Sequence, residues 1–119
     1  MKAVNREDVP IAIEGDGVEF RRGEIGGDLT VAFVHLPKGT DFRPALSGLP
    51  EDRCPHWGYI INGRLKMHTG EGESVYEAGQ AVYWAPGHAP VALEDCDYVD
   101  FSPTKELEEV IDHVKSQGG

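Results

Sequence analysis

Basic residues are scarce in this chain. Its 119 residues hold 11 Lys and Arg against 21 Asp and Glu, a formal net charge of -10. Affinity for phosphates comes mainly from clustered Lys and Arg, so this balance argues against a nucleic-acid partner and an anionic membrane surface. The charge is read as what keeps a small protein in solution. Long apolar runs are lacking too, since none approaches the roughly 20 residues that span a bilayer. Met1-Lys2-Ala3-Val4-Asn5-Arg6-Glu7-Asp8 turns acidic where a signal peptide would turn apolar. A cytoplasmic location is the default expectation. Cysteine is limited to Cys54 and Cys96, far apart and without a CxxC pair, which excludes a disulfide-rich secreted framework. Buried thiols in a reducing compartment are expected instead. No phosphate-cradling glycine loop precedes a helix, and none of Ser47, Ser74 and Ser102 sits in a nucleophile elbow.

Glycine and proline, by contrast, are abundant, at 15 and 8 residues. Gly15-Asp16-Gly17, Gly26-Gly27-Asp28, Gly70-Glu71-Gly72 and Pro86-Gly87 read as turns, because glycine tolerates positive φ without steric cost. Between them lie short β-type runs, at 17–21, 29–36, 56–62, 64–69, 73–77, 81–85, 91–94 and 98–101. Such spacing predicts an all-β sandwich or barrel. The length fits a single domain over 1–119. Pro37 to Pro55 breaks the pattern, with a longer connection from Phe42 to Arg53 that serves either as a lid or as a plain crossover. After Ser102-Pro103, an N-cap and a first-position proline, Leu107, Val110, Ile111 and Val114 recur on one helical face. The spacing predicts an amphipathic helix over about 103–117, packed on the outside of the barrel or on a partner subunit.

Two stretches carry more information. The first is Cys54-Pro55-His56-Trp57-Gly58-Tyr59-Ile60-Ile61-Asn62-Gly63, and the second is Gly79-Gln80-Ala81-Val82-Tyr83-Trp84-Ala85-Pro86-Gly87-His88. Together they resemble the two motifs of the cupin superfamily. Gly63 matches the glycine closing the first motif, Gly79 the one opening the second, and Pro86-Gly87 its turn. The resemblance covers about 29–102. It implies a cupin double-stranded β-helix, a jelly-roll barrel, with a C-terminal α-helix and one interior pocket.

The departures bear on chemistry. Where metal-binding members carry a Glu seven residues before the closing glycine, this chain has His56. The usual H-x-H pair would fall near Leu49-Pro50-Glu51-Asp52, and the last ligand histidine at Pro90. His88 lies close by, directly after Gly87. The resemblance places the His56 and His88 positions on the barrel interior, so they form the core of any metal site. Cys54, Glu51, Asp52, His35 and His68 are the candidates for a third donor. A divalent transition metal is the one cofactor this allows, and none is demanded, since a satisfied imidazole is the competing explanation.

Alternation along 56–62 puts His56, Gly58, Ile60 and Asn62 on one face and Trp57, Tyr59 and Ile61 on the other. The expected pocket residues are therefore His56, Gly58, Ile60, His88 and one of Tyr83 and Trp84, with Gly58 leaving space beside His56. Cys54 lies two residues from His56, a spacing that keeps thiolate chemistry open. Three functions remain: a small-molecule-binding barrel without a standard metal site; an oxygenase- or isomerase-like enzyme using a divalent metal, or His56 as an acid or base; and a structural or sensing module. The apolar outer face at Trp57, Tyr59 and Ile61 points to a homodimer.

Overall fold

The structure is a computed structural model that describes residues 1–46 and 54–117. After a 3-10 turn at Arg6–Asp8, the elements run β1 (Ile11–Gly15), β2 (Val18–Gly26), β3 (Leu29–Leu36), α1 (Arg43–Leu46), β4 (His56–Asn62) and β5 (Arg64–Thr69). They continue with β6 (Gly72–Glu77), β7 (Ala81–Trp84), β8 (His88–Ala92), β9 (Cys96–Pro103) and α2 (Thr104–Gln117). One sheet has the order β1-β2-β3-β9-β4-β7 and the other β6-β5-β8. All their pairings are antiparallel. Alternate side chains of both sheets fill one core. Val34, Leu36, Ile60, Trp84 and Tyr98 enter it from the larger sheet, and Leu65, Met67 and Ala92 from the smaller. This is the jelly-roll arrangement that the two motifs imply, with the helix at its C-terminal end.

The strand boundaries shift in ways that matter for the site. Expected at 91–94, the eighth strand starts at His88 and takes in Pro90. Proline survives there because β8 edges its sheet and the Pro90 carbonyl accepts from Phe42 N–H on the side away from β5. The missing N–H of Pro90 points to that same outer side. β9 is longer than the 98–101 run suggests, reaching Pro103. Ser102 therefore does not cap the helix, as its sequence position suggests; it pairs with Thr30 across the ladder and its side chain is fully buried. α2 begins one residue later than expected, at Thr104, whose N–H donates to the Asp28 carbonyl at 2.9 Å and whose Oγ1 meets Thr30 Oγ1 at 2.8 Å. β1 was not foreseen in the turn-bounded runs. The connection from Ser47 to Arg53, with Glu51 and Asp52, lies outside the described residues.

α2 packs against the barrel, one of the two places expected for it. Its apolar face, Leu107, Ile111 and Val114, is buried and turns inward onto Cys54, Ala12 and Phe20. An apolar stripe of this kind is stable only against another apolar surface, and the barrel's open end supplies it. No helix among the described residues is long and apolar enough to cross a membrane.

Candidate functional site

The site lies where β4, β7, β8 and β9 converge beneath α2. β9 supplies its polar floor. Cys96, Tyr98, Asp100 and Ser102 alternate inward on this strand and are all buried, while Asp97, Val99 and Phe101 face the other way. β4 lies alongside, with Gly58 opposite Asp100, and β7 pairs Trp84 with His56. A β-carbon at Gly58 would sit 2.5 Å from the Val99 carbonyl oxygen and 2.9 Å from Asp100 Cβ. Gly58 thus makes room for β9 and its aspartate. It does not open pocket space, which is where alternation alone placed it.

Around His56 the polar groups crowd together. Its Nδ1 hydrogen-bonds Ser102 Oγ, lies 3.7 Å from Asp100 Oδ2 and 4.0 Å from Cys54 Sγ. Ser102 and Asp100 both address the same ring nitrogen, so the three do not form the relay of a serine hydrolase, in which the two partners hold opposite nitrogens. The His88 ring stands edge-on to that of His56, 4.8 Å away at 74°. His88 Nδ1 donates to the Ala85 carbonyl at 2.6 Å. A carbonyl only accepts, so this contact fixes the proton on Nδ1.

Burial sets the charge states. Loss of water around His56 pulls its pKa from 6.5 to about 3, with the neighbouring His88 as the second cause. Burial pushes Asp100 the other way, up to about 7. Both shifts disfavour the charged form. Near pH 6 the two face each other as a neutral imidazole and a protonated carboxyl, and Asp100 titrates near neutrality. Among the described residues its Oδ1 is buried without a hydrogen-bond partner, and so is Trp84 Nε1.

A cavity of about 70 Å³ lies above these groups. His56, His88 and Asp100 line it, with the Tyr98 phenol as a fourth ionisable group; Phe20, Met67 and Trp84 wall it from the barrel, and Leu107, Val110, Ile111 and Val114 from α2. The structure thus brings together His56, His88 and Trp84 of the residues expected at the pocket. Ile60 is fully buried within the core cluster, and neither it nor Gly58 is part of the lining. Tyr83 points outward, being 55 % exposed. His35 is held 2.8 Å from Asp97 Oδ1 and His68 3.2 Å from Glu73 Oε2, both outside the cavity. Cys54 is fully buried against Leu107 and Ile111, a setting unlike that of an accessible, reactive thiolate.

Asp100 and the face of α2 are the parts of the site that the residue pattern does not announce. The signal for Asp100 is a period-two reading of the full strand, Cys96–Pro103, on which Cys96, Tyr98, Asp100 and Ser102 share a face.

A divalent metal would need three or four donors converging at about 2.0–2.2 Å. Among the described residues no group of three His, Cys, Asp or Glu side chains is placed to hold one. The contacts of His56 to Ser102 and of His88 to Ala85 engage Nδ1 alone and do not bar coordination through Nε2, but two imidazoles fall short of three donors. Among the described residues the donors present do not fit the group.

These features define a class: an antiparallel jelly-roll barrel with one small, mostly apolar cavity over a buried acid. Comparison with solved structures gives that class its name, for the chain folds as a cupin. It superposes on KdgF from Halomonas sp. with a TM-score of 0.60 at 22% identity, covering 84% of this chain and 90% of that one. Ectoine synthase from P. lautus gives 0.65 at 13% identity over 92% and 85% of the two chains. An RmlC-like cupin from Shewanella frigidimarina gives 0.64 at 17% identity over 88% and 93%. No protein-family model matches the sequence, and no curated protein matches it either.

Proposed function

We propose that the chain binds a small organic molecule in the cavity between the barrel and α2. The observation that carries this reading is the Asp100 carboxyl, buried beside an apolar cavity with one oxygen unpartnered. An unsatisfied buried polar atom costs about 1–3 kcal/mol, and a ligand that meets it recovers that energy. Pockets of mostly apolar lining with a few convergent polar groups are the usual form of a small-molecule site. Substituting Val110→Trp on α2 fills the cavity from its helical wall. In a thermal-shift screen of small organic compounds, ligands are expected to raise the midpoint of the native protein and not that of the variant. A screen with no such compound would count against the reading.

A second reading is enzymatic, and the titration of Asp100 at about 7 favours it. A general acid or base works best with a pKa near the operating pH. Asp100 would donate or accept the proton, with the neutral imidazole of His56 beside it as the partner. Ectoine synthase and KdgF lend only their fold to this idea.

We also infer a homodimer through the outer face of β4 and β7. Trp57, Tyr59, Ile61 and Tyr83 are each about half exposed there, and the Trp57 and Tyr83 rings lie 5.3 Å apart. β7 is an edge strand, so a second copy can extend the sheet and cover the patch together. Light scattering at micromolar concentration is expected to give a dimer, and Ile61→Asp with Tyr83→Asp a monomer. A native monomer under those conditions refutes the interface. The two thiols, Cys54 and Cys96, are buried and form no disulfide, which supports a reducing cytoplasmic location.

A further inference from the structure

We propose that the ligand of this cavity is a small organic cation, a protonated alkylamine whose ammonium hydrogen-bonds Asp100 and rests against the aromatic walls. The proposal deepens the ligand-binding reading above and rests on it. Four observations converge on the cation. Asp100 is buried, lines the cavity and keeps Oδ1 without a partner. Once Asp100 is ionised its oxygens only accept, so whatever then satisfies Oδ1 must donate. No Lys or Arg stands among the described residues lining the cavity, so nothing in it offsets a negative charge. An anionic ligand would add a second uncompensated charge to an apolar space, which is strongly unfavourable.

The walls suit a cation as well. Trp84 and Tyr98 meet at 90° with ring centres 5.3 Å apart, and Phe20 and Phe42 complete an aromatic lining. Ring faces attract ammonium groups, tryptophan most strongly. Finally, the net charge of -10 gives the whole molecule a field that draws cations in. The cavity is small, about 70 Å³, and suits a short alkyl chain.

Binding then couples to protonation. The groups around Asp100 are His56 of β4 at 3.7 Å, with His88 of β8 behind it, and Tyr98 and Ser102 on its own strand. Ala32 of β3 and Gly58 of β4 flank it, and α2 presents only Leu107, Val110, Ile111 and Val114 to the cavity. None of these supplies a permanent positive charge. An ammonium ion would, and on arriving it would hold Asp100 ionised and displace its proton to solvent.

Titration calorimetry with propylamine, and with propanol as its neutral counterpart of equal size, tests this on the native chain. Propylamine is expected to bind about tenfold more tightly near pH 8 than near pH 6, as Asp100 ionises. Near pH 6 its heat should change with the buffer's ionisation enthalpy, reporting proton release. Asp100→Asn should weaken propylamine at least tenfold near pH 8 and leave propanol unchanged. Propanol binding as well as propylamine, with no pH dependence, overturns the cation while leaving the pocket in place. If neither binds, and the compound screen against native protein and Val110→Trp also finds nothing, the pocket reading falls with it.

Discussion

Asp100→Asn is expected to raise the unfolding free energy by about 4 kcal/mol near pH 8 and to leave it almost unchanged near pH 4. The folded chain holds Asp100 at about 7, against 3.8 for the ordinary side chain, because burial penalises its charge. A difference of about three pH units is about 4 kcal/mol. Between pH 4 and 7 the folded state binds the extra proton, so Asp100's contribution is fully present below about 4 and is lost as pH rises through 7. His56 runs the opposite way. Its value falls from 6.5 to about 3, so the unfolded chain binds the extra proton and stability is lost as pH drops through that window. In the native protein the two slopes cancel between about 4 and 6.5. Asp100→Asn unmasks the histidine, and stability should fall by about 1.4 kcal/mol per unit as pH drops below 6.5. His56→Gln unmasks the aspartate, with the same slope on raising pH from 4 to 7. Denaturant unfolding across this range reads both, and two variants with parallel profiles would falsify the assignment. A buried carboxyl displaced this far beside a cavity is a mark of a candidate functional site.

Gly63→Ala is expected to be the most damaging small substitution in the barrel, at about 3 kcal/mol or more, and Gly79→Ala to cost about half as much. Both glycines have positive φ, 82° and 92°, which an L side chain rarely adopts. At Gly79 that is the whole difficulty, because an added Cβ meets nothing within 4 Å. At Gly63 the same atom would overlap the Asp95 carbonyl oxygen, and the Asp95 backbone cannot yield without shifting the start of β9. Chemical denaturation of the two variants side by side measures the gap. Equal losses would mean that the close approach at Gly63 carries no weight.

Those two glycines also show what the residue pattern makes legible. A glycine fixed by backbone geometry announces itself, and so does the alternation of β4, which places His56 and Ile60 inward and Trp57, Tyr59 and Ile61 outward. The inward turn of Trp84 rather than Tyr83 follows once the register to His56 is known. Asp100 stays hidden for a physical reason. Aspartate is depleted in strands and is rarely buried, so an acid beside Val99 and Phe101 reads as solvent-facing. Only the contact of β9 with both β3 and β4 fixes which side it takes. α2 is a similar case, since spacing reveals its apolar stripe and says nothing of the surface that stripe covers. The glycine at 58 was misread because alternation gives a face but not the distance to the next strand.

That α2 forms one wall of the cavity separates what the molecule must keep from what it can vary. The barrel residues beneath the cavity sit in ladders whose register fixes the whole fold, and a change there propagates into the core. The helix contributes Leu107, Val110, Ile111 and Val114 from a self-contained element whose backbone bonds close on themselves. Exchange of these residues reshapes the cavity while the ladders stay intact. Selection, or a designer, can therefore reshape this cavity by rewriting a single turn or two of helix, with the acid below held constant.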